Sequence, residues 1–124
     1  MSFENIQLTI TLSDLKLEEE RLQEDTRNIL SEIQVFDGVQ KADLISIEKA
    51  EPNAKSIGGF LVGILTTEIN AKNLKALVGY LGDRLYGKTL KIKAEGNGRK
   101  IDIEVGNLED LKKALAEVDN FLNV

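Results

Sequence analysis

Residues 90–105 read LKIKAEGNGRKIDIEV, and apolar and charged side chains alternate on both sides of Asn97-Gly98. Asn-Gly is a preferred pair for a two-residue type I′ turn, because both central residues must adopt a positive φ. A hairpin closed by that turn places three apolar pairs on one face, namely Leu90 with Val105, Ile92 with Ile103 and Ala94 with Ile101. The stretch therefore predicts two antiparallel strands that bury one face and expose the other.

The exposed face of this predicted hairpin carries charged pairs of opposite sign, which are Lys91 with Glu104, Lys93 with Asp102 and Glu95 with Lys100. Such pairs contribute roughly 0.2–1 kcal/mol each, and less where solvent and salt screen them. The carboxylates cancel the field of the neighbouring lysines, and no aromatic side chain is interleaved for base stacking. We therefore interpret the charged face as a determinant of register and solubility, and not as a nucleic-acid site.

Strand and helix periods alternate along the N-terminal part of the chain. Residues 6–12 (IQLTITL) alternate apolar and polar side chains, which is typical of a strand with one buried face. Helical spacing of leucine and isoleucine then predicts a helix over about residues 15–38, ended by a glycine. Residues 43–51 predict a short strand with Ile45 and Ile47 pointing inward.

Between residues 53 and 87 the sequence predicts two helices, or one bent helix. One apolar stripe consists of Ile57, Phe60, Leu61, Ile64 and Leu65, and the next consists of Leu74, Leu77, Val78, Leu81 and Leu85. Asn70 is the predicted cap between the two stripes.

After the hairpin, the capping-box spacing of Asn107 and Asp110 predicts a C-terminal amphipathic helix. Its predicted inward residues are Leu108, Leu111, Leu115, Val118 and Leu122.

The predicted element order is β-α-β-α-α-β-β-α. Every predicted strand has only one apolar side, and an antiparallel sheet of that kind needs a covering layer on one face only. We therefore predict an α+β fold with a four-stranded sheet and helices packed on one face, as a single domain over residues 1–124.

Composition excludes several classes of chemistry. The chain has no cysteine and no histidine, so disulfides, thiolate zinc sites and histidine-dependent nucleophilic catalysis are excluded. Its net charge is −5, which disfavours binding to a phosphate backbone. Residues 1–10 lack the pattern of a secretion signal, and the longest apolar run, residues 57–65, is far shorter than the roughly 20 residues that span a bilayer. The sequence therefore predicts a cytoplasmic protein that binds neither nucleic acid nor membrane.

The charge run EEERLQED at residues 18–25 raises the possibility of a calcium or magnesium site. Consecutive side chains on a helix fan around the axis and do not converge on one ion, so we interpret the run as a solvated face. Tyr80 and Tyr86 flank Arg84 in the second stripe, and a tyrosine beside an arginine is either an interface anchor or a tyrosine at the edge of the core. The candidate protein-binding residues are Glu18, Glu19, Glu20, Glu24 and Tyr86.

Four segments together resemble the effector-associated constant component family of bacteria. They are SIGGFLVGIL (56–65), LKALVGYLGDRLYG (74–87), the hairpin at 90–105 and LEDLKKALAEVDNFL (108–122). The chain departs from the family in having Tyr80-Leu81 where Trp-Leu is usual. The resemblance implies a non-enzymatic scaffold or adaptor of a phage-defence or regulated-cell-death system. It also implies a protein partner, such as a protease or NTPase effector of the same operon.

We therefore predict a non-catalytic protein-interaction adaptor without cofactor, catalytic residues or metal, and self-association stays open. One alternative is a small-ligand or nucleotide sensor that uses a glycine-rich helix start at residues 56–59. Another is a small enzyme that uses Asp or Glu with Lys, which would need a cleft holding a carboxylate with a raised pKa.

Overall fold

The computed structural model describes residues 5–14, 16–49, 55–84, 88–96 and 98–122. The strands in these ranges are β1 (Asn5–Ser13), β2 (Val39–Ser46), β3 (Ser56–Ile57), β4 (Phe60–Asn70), β5 (Thr89–Gly96) and β6 (Arg99–Val105). The α-helices are α1 (Glu19–Gln34), α2 (Leu74–Arg84) and α3 (Leu108–Leu122), with short 3₁₀ turns at Ile47–Lys49 and Ala71–Asn73.

The strands form one antiparallel sheet in the order β2-β4-β1-β5-β6, and β3 pairs with β4 outside this path. The α+β class is therefore confirmed. The predicted four-stranded sheet and the predicted element order are wrong, because the described residues form six strands and the second predicted helix is a β-hairpin.

Residues 56–65, predicted as a buried helix, form β3 and the start of β4. Gly58 and Gly59 have φ angles of 61° and 84°, as a two-residue type I′ turn requires, and Ile57 pairs with Phe60 across them. The run is apolar at odd and even positions alike, so a helical stripe and a strand fit it equally well. The Gly-Gly pair between two apolar runs was the local signal for the hairpin.

Asn70 is the last residue of β4, and its side chain makes no capping hydrogen bond to the turn that follows. The prediction that it caps one helix against another is therefore wrong. Of the two predicted stripes, only the second forms a helix, because α2 begins at Leu74.

β2 begins earlier than predicted and presents different residues to the core. Ala42 lies opposite Thr67 and Leu44 lies opposite Leu65, and these positions face inward. Ile45 lies outside the core, and Ile47 belongs to a 3₁₀ turn and is 42% exposed. The prediction that Ile45 and Ile47 face inward is wrong, because the strand ends at Ser46 and its even-numbered residues, Ala42 and Leu44, are the ones that face the core.

The hairpin β5–β6 is confirmed in every described pair. Leu90 lies opposite Val105, Ile92 opposite Ile103 and Ala94 opposite Ile101, and the charged residues pair on the other face in the predicted combinations. The strand at residues 6–12 and the first helix are confirmed as β1 and α1. The alternation of apolar and charged residues fixes the register of the hairpin, because a shift of one residue in the pairing would expose the apolar side chains of the shifted strand.

The C-terminal helix is confirmed as α3, with one change to its inward face. The Asp110 backbone N–H donates to Asn107 Oδ1 at 2.9 Å, and the Gly106 N–H donates to Asp110 Oδ2 at 3.0 Å, so both residues of the predicted capping pair accept hydrogen bonds. Leu108, in the first turn, is 70% exposed and does not face inward as predicted, whereas Phe121 is buried.

The core lies on one face of the sheet. The alternate side chains Ile6, Leu8, Ile10 and Leu12 of β1 are fully buried there, beside the inward residues of β4 and β5. α1 packs against β2 and β4, α3 packs against β6, and α2 packs against α3. Within the described ranges, none of these helices is long and apolar enough to cross a membrane.

Gln23 of α1 completes the sheet at a place where strand pairing stops. The last residue of β1 that pairs with β4 is Thr11, opposite Ile64. Beyond it, Gln23 Nε2 donates to the Leu61 carbonyl at 3.2 Å, and the Gly63 N–H donates to Gln23 Oε1 at 2.8 Å. Because Gln23 is only 2% exposed, water does not replace these bonds, and the amide acts as a substitute for the missing strand residue.

We expect Gln23→Leu to lower the free energy of unfolding by about 2–4 kcal/mol, because two buried backbone groups of β4 lose their partners. The matched control is Gln34→Leu, which removes a 3.1 Å, part-buried hydrogen bond from the exposed side chain of Gln34 to the Ala42 carbonyl. The control should cost less than about 1 kcal/mol. Urea unfolding of the two variants measures both effects, and equal losses would contradict the role assigned to Gln23.

Thr67 places a hydroxyl in the core without a partner. It is 2% exposed, lies opposite Leu8 of β1 and Ala42 of β2, and its Oγ1 makes no hydrogen bond. A buried hydroxyl without a partner costs free energy.

We therefore expect Thr67→Val to raise the free energy of unfolding by about 1 kcal/mol, since the methyl group has nearly the same shape and no polar atom to desolvate. Thr66→Val is the control, because Thr66 lies on the open face and its hydroxyl donates to the Asp43 carbonyl at 3.5 Å. That variant should stay within about 0.5 kcal/mol of the parent. Destabilisation by Thr67→Val would mean that the hydroxyl has a partner.

Candidate functional site

The first candidate site is the acidic start of α1. Glu18 is the N-cap residue in an extended conformation, and Glu19 and Glu20 lie in the first turn, where carboxylates stabilise the positive end of the helix dipole. All three are exposed, as is Glu24 one turn later. These four residues are called the acidic surface below.

The acidic surface is only partly neutralised by the rest of the described chain. Glu19 forms a salt bridge with Lys55 at 3.0 Å, and both side chains are largely exposed. Glu18, Glu20 and Glu24 form no salt bridge with any described residue. Glu20 and Glu24 are four residues apart on the same side of the helix, a like-charge spacing that costs a few tenths of a kcal/mol, roughly, in an isolated helix. The surface therefore presents negative charge to solvent at some cost to the helix.

The fifth predicted residue, Tyr86, lies outside the described residues. Its predicted neighbours Tyr80 and Arg84 lie on α2, and the structure brings both of them to Glu32 of α1. The Tyr80 hydroxyl donates to Glu32 Oε2. Arg84 holds the carboxylate with two nitrogens, from Nε to Oε2 at 3.0 Å and from Nη2 to Oε1 at 2.5 Å. Phe36 packs against the Tyr80 ring with centroids 5.4 Å apart.

Hydrogen bonding sets the ionisation of these three residues. The bonds from Arg84 and then from Tyr80 hold the pKa of Glu32 below its ordinary value, although partial burial opposes them. The hydrogen bond to the Glu32 carboxylate raises the pKa of Tyr80, and burial acts in the same direction. Glu32 also raises the pKa of Arg84. The ionised pair of Glu32 and Arg84, together with the neutral Tyr80 hydroxyl, thus joins α1 to α2, and these three residues are called the clamp below.

Glu32 was not among the residues that the sequence singled out. Tyr80 and Arg84 are four residues apart, so their donors lie on one side of α2 and predict a shared acceptor. The acceptor lies 48 residues away from Tyr80 in the chain, and only the packing of the two helices identifies it. Tyr80 is consequently a tyrosine at the edge of the core, one of the two roles that its sequence context allowed.

The ionisation of Glu32 is not that of a general acid. A general acid needs a carboxylate whose pKa is raised, and Glu32, the described carboxylate with a resolved shift, moves in the opposite direction. Within the described residues no cluster of three or more acidic side chains is placed to hold a metal ion. Residues 56–59, proposed as a phosphate-binding helix start, form the β3–β4 turn, so they provide no helix N-terminus there.

The open face of the sheet, opposite the helices, is polar over β1, β5 and β6, whereas its β4 part includes the half-buried Val62 and Ile64. It carries the exposed residues Gln7, Lys91, Lys93, Glu95, Lys100, Asp102 and Glu104, with half-buried threonines on β1. Two shallow clefts lie at the turn end of the hairpin. One, of about 370 Å³, lies between β6 and the end of α3, and the other, of about 400 Å³, lies between the start of β1 and the hairpin.

Comparison of the chain with protein-family models, with curated proteins and with solved structures gives no match. The geometry described above is therefore the basis for a functional proposal, together with the resemblance carried by the sequence.

Ultraviolet titration checks the clamp. In a Tyr86→Phe background Tyr80 is the one remaining tyrosine, and its phenolate should appear only above the ordinary pKa of 10.0. The sign follows from charge, because ionised Glu32 accepts a hydrogen bond from the phenol and repels the phenolate. Adding Glu32→Gln should move the midpoint down towards 10.0, whereas the control Glu24→Gln should leave it in place. A titration midpoint of Tyr80 that does not change on Glu32→Gln would contradict the hydrogen bond between the two side chains.

Proposed function

We propose that this protein is a non-catalytic adaptor or scaffold that binds another protein through the acidic surface of α1. The observation that supports the proposal is the set of exposed carboxylates Glu18, Glu20 and Glu24, which have no salt-bridge partner among the described residues. The exposed Arg21 lies between these carboxylates, so the surface is net negative, and net negative charge on a rigid helix attracts a basic partner surface and orients it during encounter. The partner's contact surface is therefore basic.

The fold gives this surface a fixed position. Gln23 anchors the start of α1 to β4, and Glu32 joins its end to α2 through Tyr80 and Arg84. A helix held at both ends loses little conformational freedom when it binds, and preorganisation of this kind favours affinity. The attachments use the inward and lateral sides of α1, so the acidic surface stays available.

The resemblance to the effector-associated constant component family suggests the setting. We place the protein in the bacterial cytoplasm, in a phage-defence or regulated-cell-death system, beside a protease or NTPase effector of the same operon. Three of the four segments that carry the resemblance keep the expected type of structure, namely α2, the β5–β6 hairpin and α3. The fourth, residues 56–65, is a hairpin and strand, so the proposal depends on the other three.

The test is binding to the proteins that neighbouring genes encode, each purified and measured by stopped-flow mixing at low and high salt. We expect one of them to bind, with an association rate that falls as salt rises. The triple variant Glu18→Lys, Glu20→Lys, Glu24→Lys should slow association about tenfold or more and remove that dependence.

The control variant is Asp83→Lys, Glu109→Lys, Glu117→Lys, which makes the same change in net charge at exposed positions on α2 and α3. It should retain most of the association rate. Equal effects of the two variants would mean that net charge matters and that the acidic surface does not. Failure of every neighbour to bind would contradict the adaptor function itself.

A further inference from the structure

β6 is a regular, unpaired edge of the sheet. Its seven residues pair with β5 from Arg99 to Val105 without a register shift. The opposite edge, β2, has two register shifts against β4. Bulges blunt an edge strand, whereas a regular edge remains a template for another strand. We propose that β6 pairs antiparallel with β6 of a second copy of this chain, about a two-fold axis through Ile101.

The hairpin geometry decides which backbone groups of β6 are available. A two-residue turn closes on a hydrogen-bonded pair, here Gly96 and Arg99, and bonded and non-bonded pairs then alternate along the ladder. The N–H and C=O groups of Lys100, Asp102 and Glu104 therefore point away from β5. In the described part of the chain, no hydrogen bond uses these backbone groups.

A symmetric partner must satisfy two conditions at once. Its strand must place even-numbered residues opposite even-numbered ones, because only these carry outward backbone groups. A two-fold axis perpendicular to the sheet also keeps both apolar faces, and the helices that cover them, on the same side. Of the registers that meet these conditions, three pair at least five residues of each strand, and they are centred on Ile101, Asp102 or Ile103.

Charge selects among the three registers. Centred on Ile101, Lys100 of each copy lies opposite Asp102 of the other, which gives two unlike pairs and no like pair. Centred on Asp102, Lys100 lies opposite Glu104 twice, but the two Asp102 side chains oppose each other at the axis, which adds a like pair that the first register lacks. Centred on Ile103, Asp102 lies opposite Glu104 twice. Unlike charges directly opposite stabilise a strand pair and like charges destabilise it, so the register centred on Ile101 is favoured.

The inner side of β6 supports the same axis. Ile101 is half-buried, whereas Ile103 and Val105 further along the strand are buried. Ile101 lines the cleft of about 370 Å³ together with Phe121 of α3. In the favoured register the two Ile101 side chains form a non-hydrogen-bonded pair, the type in which side chains approach most closely. The second copy therefore covers the apolar part of the cleft that this copy leaves open.

Sedimentation equilibrium of the full chain tests the proposal. The wild type should form a dimer of twice the 13.7 kDa chain mass in a concentration-dependent manner. Asp102→Lys places lysine opposite Lys100 and should raise the dissociation constant about tenfold or more. The double variant Lys100→Asp, Asp102→Lys exchanges the two charges of the pair and should restore the dimer. Lys93→Glu is the control, because it alters the residue opposite Asp102 within the hairpin and leaves the edge unchanged.

Circular dichroism establishes that each variant is folded before its mass is compared. Hydrogen exchange of the wild type supplies a test without substitution, since the amides of Lys100 and Asp102 should become protected as concentration rises, while those of the β2 edge should not. A wild type that stays monomeric up to about 1 mM would overturn the proposal. So would a dimer that tolerates Asp102→Lys, or a folded double variant that stays monomeric.

Discussion

The apolar inner face of β1 fixes the position of every other element. Leu8 lies opposite Thr67 of β4 and Ala94 of β5, and Ile10 lies opposite Leu65 and Ile92, so one row of side chains sets two ladders. A shift of one residue in either ladder would move a whole apolar row to the open face. Because both neighbours of β1 are held in this way, the sheet has a single buried side, and the helices have one surface on which to pack.

The parts of this fold that could be predicted from sequence are those where apolar and polar residues alternate strictly and where the turn residues are specific. The hairpin at 90–105 was predictable to the residue, because Asn-Gly fixed the turn and strict alternation fixed the faces. β4 could not be predicted in this way. Residues 60–65 are apolar at both odd and even positions, except for Gly63, and their spacing also fits the apolar stripe of a helix. The distinction depends on pairing with β1, where Gly63 lies so close to the Leu12 carbonyl that a Cβ would collide with it. The acidic surface could be predicted as exposed, whereas Glu32 could be linked to Tyr80 only through tertiary packing.

Two polar attachments orient α1 where apolar packing alone would leave it free to rotate. Ile29 and Ile33 place one side of the helix on the core, but such contacts are non-directional. The amide of Gln23 requires the N–H and the carbonyl of two specific residues of β4, and the carboxylate of Glu32 requires a bidentate arginine. Directional bonds of this kind specify rotation about the helix axis. They direct Glu20 and Glu24 to solvent, so the exposure of the acidic surface follows from contacts elsewhere on the same helix.

The two proposed interfaces lie at opposite ends of the sheet. α1 packs against β2 and β4, and β6 is the far edge beyond β1 and β5. A two-fold axis at β6 would therefore leave both copies of the acidic surface at the outer ends of one continuous sheet. Two identical sites held at a fixed separation bind a partner that is itself repeated more strongly than either site alone. Self-pairing at β6 and partner binding at α1 are then compatible, and together they would make the protein a bivalent scaffold, whereas a dimer formed through the β2 edge would bring the two negative surfaces together.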